Sequence, residues 1–129
     1  MPSRTQVEDV LKNYYAALRS LDLKAAVKTF APDAVQHCPV GDPPRVGQDA
    51  IREFFQGVLN HFDAIAVKEE FFYCLENEAA AKWTCDGTAV NGRHISFEGI
   101  DLFRINDDGK ITEIKAYWDP MKMLAAFAE

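Results

Sequence analysis

The sequence predicts an α+β domain from three observations. Its 129 residues suit one domain with one core. Apolar residues recur at helical spacing before about residue 64 and alternate at strand spacing after it. Turn signals at Asn91-Gly92 and Asp107-Asp108-Gly109 break the alternating part into short-looped runs, so the strands form an antiparallel meander.

Residues 3–20 read as a helix, with Ser3 and Gln6 in a capping box. Val7, Val10, Leu11, Tyr14 and Leu18 form its buried stripe. Asp22 caps a second, short helix through Phe30, which Ala31-Pro32 stops. Residues 33–38 fit a short strand, and Pro39 to Gly47 is a loop by its proline and glycine content. Residues 48–61 give a third amphipathic helix carrying Ile51, Phe54, Phe55, Val58 and Leu59. Strands follow at 64–76 and 79–90, separated by a turn near Asn77-Glu78, then along Ile95–Ile105 and at 110–118. Asn91-Gly92 suits a type I′ turn, which needs positive φ at both central residues. Asp119-Pro120 opens a short C-terminal helix.

Composition narrows the partners. Hydrophobic residues make up 48% and charged residues 26%, an ordinary globular balance. A net charge of −6 without a Lys/Arg cluster argues against nucleic acid and against an anionic membrane surface. No apolar run has the length of a membrane span, and the first residues lack a signal peptide's apolar stretch. Cys38, Cys74 and Cys85 are an odd number without CxxC spacing, so they read as free thiols of a reducing cytoplasm. No metal and no cofactor is implied.

Asp101 is the informative residue. One parity of its strand reads Ile95, Phe97, Gly99, Asp101, Phe103, Ile105, so a carboxyl stands in an otherwise apolar row facing a core or a pocket. Such a group is either paired or raised in pKa until it holds its proton. Lys82, Arg104 and a backbone N–H are the pairing alternatives. Strict pairing about Asn91-Gly92 sets Lys82 opposite Asp101 and turns Trp83 and Cys85 away. A one-residue bulge at Asp86-Gly87 restores Trp83 and Cys85 to the Asp101 face and curves the sheet, and it is the expected arrangement.

Tyr14, His37, Cys38 and Asp86 are the other candidates for chemistry. Tyr14 also fits a core tyrosine, His37 a satisfied histidine and Cys38 a small buried hydrophobe. Apolar alternation turns Val35 and His37 inward. The expected walls of a pocket are Phe54, Trp83, Phe97, Phe103, Ala116 and Trp118.

Several runs carry a resemblance: Tyr14-Tyr15-Ala16-Ala17-Leu18, Phe30-Ala31-Pro32-Asp33-Ala34, Cys38-Pro39-Val40-Gly41, Ala50-Ile51-Arg52-Glu53-Phe54 and Ile100-Asp101-Leu102-Phe103-Arg104. With these, nearly the whole chain resembles the SnoaL-like and ketosteroid isomerase families of the nuclear transport factor 2 superfamily. The resemblance implies a cone: a curved antiparallel sheet wrapping the N-terminal helices around an apolar pocket, and a homodimer through the outer sheet face. It implies proton transfer at carbon beside the carbonyl of a small apolar ligand such as a steroid, terpenoid or polyketide. In ketosteroid isomerases a tyrosine and a protonated aspartic acid hold the enolate oxygen. Those roles match Tyr14 and Asp101. Cys38 stands where the family has its aspartate base, and the family register turns Cys38 inward and His37 outward.

His37 is the better base on charge grounds. Three readings follow: an isomerase-like enzyme, a small-molecule-binding protein that has lost its base, and a structural or protein-interaction role with the pocket filled by aromatics.

Overall fold

The computed structural model describes residues 1–127. Among these described residues, four helices, α1 (Arg4–Arg19), α2 (Leu23–Lys28), α3 (Gln48–Leu59) and α4 (Met121–Phe127), accompany six strands. The strands are β1 (Phe30–His37), β2 (Arg45–Val46), β3 (Phe62–Leu75), β4 (Glu78–Ala89), β5 (His94–Ile105) and β6 (Ile111–Tyr117). They form one sheet in the order β2-β1-β6-β5-β4-β3. All neighbours are antiparallel except β1 and β6. The α+β class and the curved sheet therefore hold, with the expected antiparallel pairing broken only between β1 and β6.

Local chemistry starts α1 and α2 as expected, but α2 already ends at Lys28 and β1 begins at Phe30, so Ala31-Pro32 lies in the strand and does not stop the helix. Ser3 and Gln6 close a reciprocal capping box at α1, and Asp22 caps α2 by accepting from the Ala25 N–H. The meander continues through a turn at Glu76-Asn77, where Glu76 takes a φ of 57°. The loop before α3 contributes the two-residue strand β2, which its proline and glycine content hid.

The β4–β5 register is uniform, with Ala81 opposite Asp101, Trp83 opposite Gly99 and Cys85 opposite Phe97. There is no bulge at Asp86-Gly87. The extra residue lies in the turn: the Ala89 N–H donates to the Arg93 carbonyl and the Gly92 N–H to the Ala89 carbonyl, with Gly92 at φ 89°. A three-residue turn with glycine in the left-handed position replaces the expected type I′ turn. It shifts pairing by the one residue the bulge was invoked for, so Trp83 and Cys85 still share the Asp101 face. Gly87 serves another purpose, since a Cβ there would stand 2.4 Å from the Phe62 ring. Curvature comes instead from β3, whose pairing shifts between Phe62 and Ala64 and between Glu69 and Phe71.

The concave face closes on α1. Val7, Leu11, Tyr15, Phe30, Ile51, Phe103, Ile105, Ile111 and Ile114 form the fully buried core. Burial of Tyr14 and Tyr15 together shows that α1 is covered over a wider arc than a single stripe.

Candidate functional site

A half-open recess of about 80 Å³ lies between α1, α3 and the concave sheet face. Tyr14 and Tyr15 reach it from α1, Phe54 from α3, Cys38 from the end of β1, Trp83 from β4, and Asp101 from β5. Phe97, Ala116 and Trp118 complete the expected wall, and Leu18 and Met123 add to it unforeseen.

Asp101 is 4% exposed. It has no cationic partner among the described residues: Lys82 pairs with Glu98 and Arg104 with Glu78, both on the outer face. Its hydrogen bond comes from Tyr15, whose hydroxyl donates to Oδ2 at 2.6 Å. Burial pushes the Asp101 carboxyl up to about 6, against the Tyr15 hydrogen bond, which favours the charged form. The Trp83 indole N–H lies near enough to favour that charge as well, but its geometry falls short of a hydrogen bond and Nε1 has no partner. A carboxyl near 6 changes protonation close to neutral pH, as a proton-transferring group must.

Tyr14 lines the recess one residue from the hydroxyl that holds Asp101. Burial raises its phenol well above the ordinary value, and the charge of Asp101 adds to that. It therefore remains a hydrogen-bond donor at any physiological pH. Phe30, Phe55 and Phe103 pack around its ring, with Phe103 edge-on at 5.5 Å. Phe103 was expected to touch ligand. It is instead 2% exposed beneath α1, two residues along β5 from Asp101, and it braces both tyrosines.

At positions 37 and 38 the family register holds and apolar alternation misleads. Ala34, Gln36 and Cys38 turn inward, while Val35 and His37 turn outward. His37 meets Glu113 at 3.5 Å on the far face and does not reach the recess. Alternation failed because a buried glutamine occupies the inward row. Gln36 is fully buried, and neither side-chain polar atom has a partner.

Cys38 is inward, and its thiol is held neutral. Burial pushes its thiol up to about 12, although the Trp118 indole N–H donates to Sγ at 3.3 Å and lowers it in part. A neutral thiol neither removes a proton nor attacks carbon readily. Asp86 is exposed on the outer face, where the Ser96 hydroxyl donates to it.

Of the expected residues, Tyr14, Cys38, Asp101, Phe54, Trp83, Phe97, Ala116 and Trp118 come together, while His37 and Phe103 do not. Tyr15 was missed as a site residue. Its one legible signal was a second phenol adjoining Tyr14 on a helix destined for the interior.

A curved sheet wrapped around a helix, with a buried acid and phenols at an apolar recess, is the fold of nuclear transport factor 2-like proteins. The SnoaL-like domain family matches residues 11–114, and the chain belongs to that family. A Steroid Delta-isomerase of Nocardioides simplex is 27% identical over 122 residues, covering 92% of this chain and 94% of that protein. The structure of SalBIII, an epoxide hydrolase/cyclase-like enzyme in pyran ring formation in the polyether salinomycin, superposes with a TM-score of 0.83 at 20% identity. That match covers 95% of this chain and 97% of SalBIII. A nuclear transport factor 2-like protein of unknown function from Burkholderia pseudomallei superposes with a TM-score of 0.81 at 19% identity, covering 96% and 98% of the two chains.

Proposed function

We propose that the protein is an isomerase- or cyclase-type enzyme acting on a small apolar molecule that carries a reactive oxygen. Tyr14 and Asp101 hold that oxygen as negative charge develops on it. The observation that carries the reading is Asp101: buried, without a cation, bonded to Tyr15 and raised to about 6 beside a second phenol. Below that pH it is a neutral donor. Above it, the carboxylate repels an oxyanion. Oxygen-holding activity therefore falls as pH rises through about 6, whereas a role as proton acceptor makes activity rise through the same value. The relationship to a steroid isomerase supports the class, with proton transfer at the carbon beside a carbonyl, through an enolate, as the finer reading.

A non-catalytic ligand-binding protein is the second reading, and Cys38 favours it. A thiol near 12 stands where the relatives' family has its base, and His37 points away. Two assays separate the readings: binding of phenol, and conversion of a β,γ-unsaturated ketone such as cyclohex-3-enone to its conjugated isomer. Turnover that Asp101→Asn lowers and Asp101→Leu abolishes supports the enzyme. Phenol binding without turnover, with turnover gained in Cys38→Asp, supports the binding protein.

We also propose a homodimer through the outer sheet face, where Phe71, Tyr73, Ile100, Leu102 and Tyr117 are exposed across three strands. Three unpaired, buried cysteines support a reducing, cytoplasmic setting.

A further inference from the structure

We infer that the recess takes a ligand of a single ring, and that Trp118, pinned across it by Cys38, is the wall that excludes larger ring systems. This rests on the oxygen-holding reading above.

Pockets for drug-sized ligands run from about 300 Å³ upward, and a closed cavity of about 150 Å³ holds benzene. At about 80 Å³, the recess admits one ring only because it is half open, so that part of the ligand stays at the mouth. Four fused rings need several times that space, so the volume excludes them.

Phe97 and Trp118 stack with centroids 5.7 Å apart, and Trp83 meets Phe97 edge-on at 5.7 Å and Trp118 at 6.2 Å. The Trp118 indole is fixed by its N–H bond to Cys38 Sγ. Gly99 lies under the pair: a Cβ there would stand 2.6 Å from Trp83 Cζ2, 2.8 Å from Trp118 Cβ and 2.7 Å from the Tyr117 carbonyl oxygen. Only glycine lets both tryptophans close over that strand. Cys38 thus has a use besides the absence of a base: it is a positioning residue that holds the far wall.

The test is a size ladder of phenols, each sharing the oxygen to be held: phenol, 2-naphthol and the four-ring estradiol. Protein-observed NMR titration gives Kd for the wild type, Trp118→Ala, Trp118→Phe and Cys38→Ala. The wild type is expected to bind phenol and to reject estradiol. Trp118→Ala shifts the 2-naphthol-to-phenol preference toward the larger ligand by at least about tenfold. Trp118→Phe and Cys38→Ala shift it less, in the same direction. Wild-type affinity that rises steadily from phenol to estradiol overturns the proposal, and that comparison needs no variant to fold. An unchanged preference in folded Trp118→Ala or Trp118→Phe also overturns it. Asp101→Leu, which removes the donor where asparagine would keep one, separates the two failures. Phenol binding that ignores this change sinks the oxygen-holding reading and the proposal with it, whereas a wrong ladder with Asp101-dependent phenol binding sinks the proposal alone.

Discussion

Replacing Tyr15 by Phe isolates what one hydrogen bond does to Asp101. The bond favours the carboxylate, so its loss raises the carboxyl further above about 6. A hydrogen bond to a charged group contributes about 1.5–3 kcal/mol, so the expected rise is about one to two pH units, read by carboxyl ¹³C NMR. A fall, or no change, would mean the bond does not hold the charge. At this scale the sequence spoke unevenly. Asp101 was legible because a strand alternates strictly and every other residue of its row was apolar or glycine. Tyr15 was not, because helical periodicity selects one stripe and cannot foresee a sheet that wraps the helix on two sides. His37 and Cys38 were undecidable by polarity, since Gln36 breaks the rule that inward residues are apolar.

Elements place these groups, and pairing register decides which face each joins. A strict two-residue hairpin at Asn91-Gly92 would have set Lys82 beside Asp101 and quenched the acid. The three-residue turn with Gly92 in the left-handed region prevents this. The need for one extra residue was legible from the clash of polarities, but its position was not, because a bulge and a longer turn have the same effect on parity. The parallel β1–β6 pairing was also invisible, since alternation carries no partner information. Gly99 gives a prediction here. Adding a methyl group forces it against Trp83, Trp118 and the Tyr117 carbonyl, and the carbonyl belongs to a paired strand that cannot yield. Gly99→Ala is expected to cost about 1–3 kcal/mol in a denaturant titration. A cost near zero would mean the tryptophan wall is loose.

The whole molecule carries the burden of one acid kept out of water. Asp101 takes up its charge at about 6 when folded, against an ordinary 3.8. As pH rises between those values the unfolded chain ionises and the folded chain does not, so this group lowers stability across that window and levels off above it. The difference amounts to about 3 kcal/mol at neutral pH. Asp101→Asn is therefore expected to be more stable than the wild type at pH 8 and equal to it near pH 3, by thermal or denaturant unfolding. A variant less stable at pH 8 would mean the carboxylate is well solvated or paired. The outer face yields a second expectation at this scale: sedimentation should give twice the 14.5 kDa chain mass, and Leu102→Lys should shift it toward one copy. A single-copy mass for the wild type at high concentration would leave the exposed aromatic face without its proposed partner.

Titration of the Asp101 carboxyl by ¹³C NMR, with and without saturating phenol, decides whether the acid is poised to hold an oxygen. A midpoint near 6 in the free protein, and a higher one when the phenol oxygen occupies the recess, is expected. A midpoint near the ordinary 3.8, unmoved by the ligand, would contradict it.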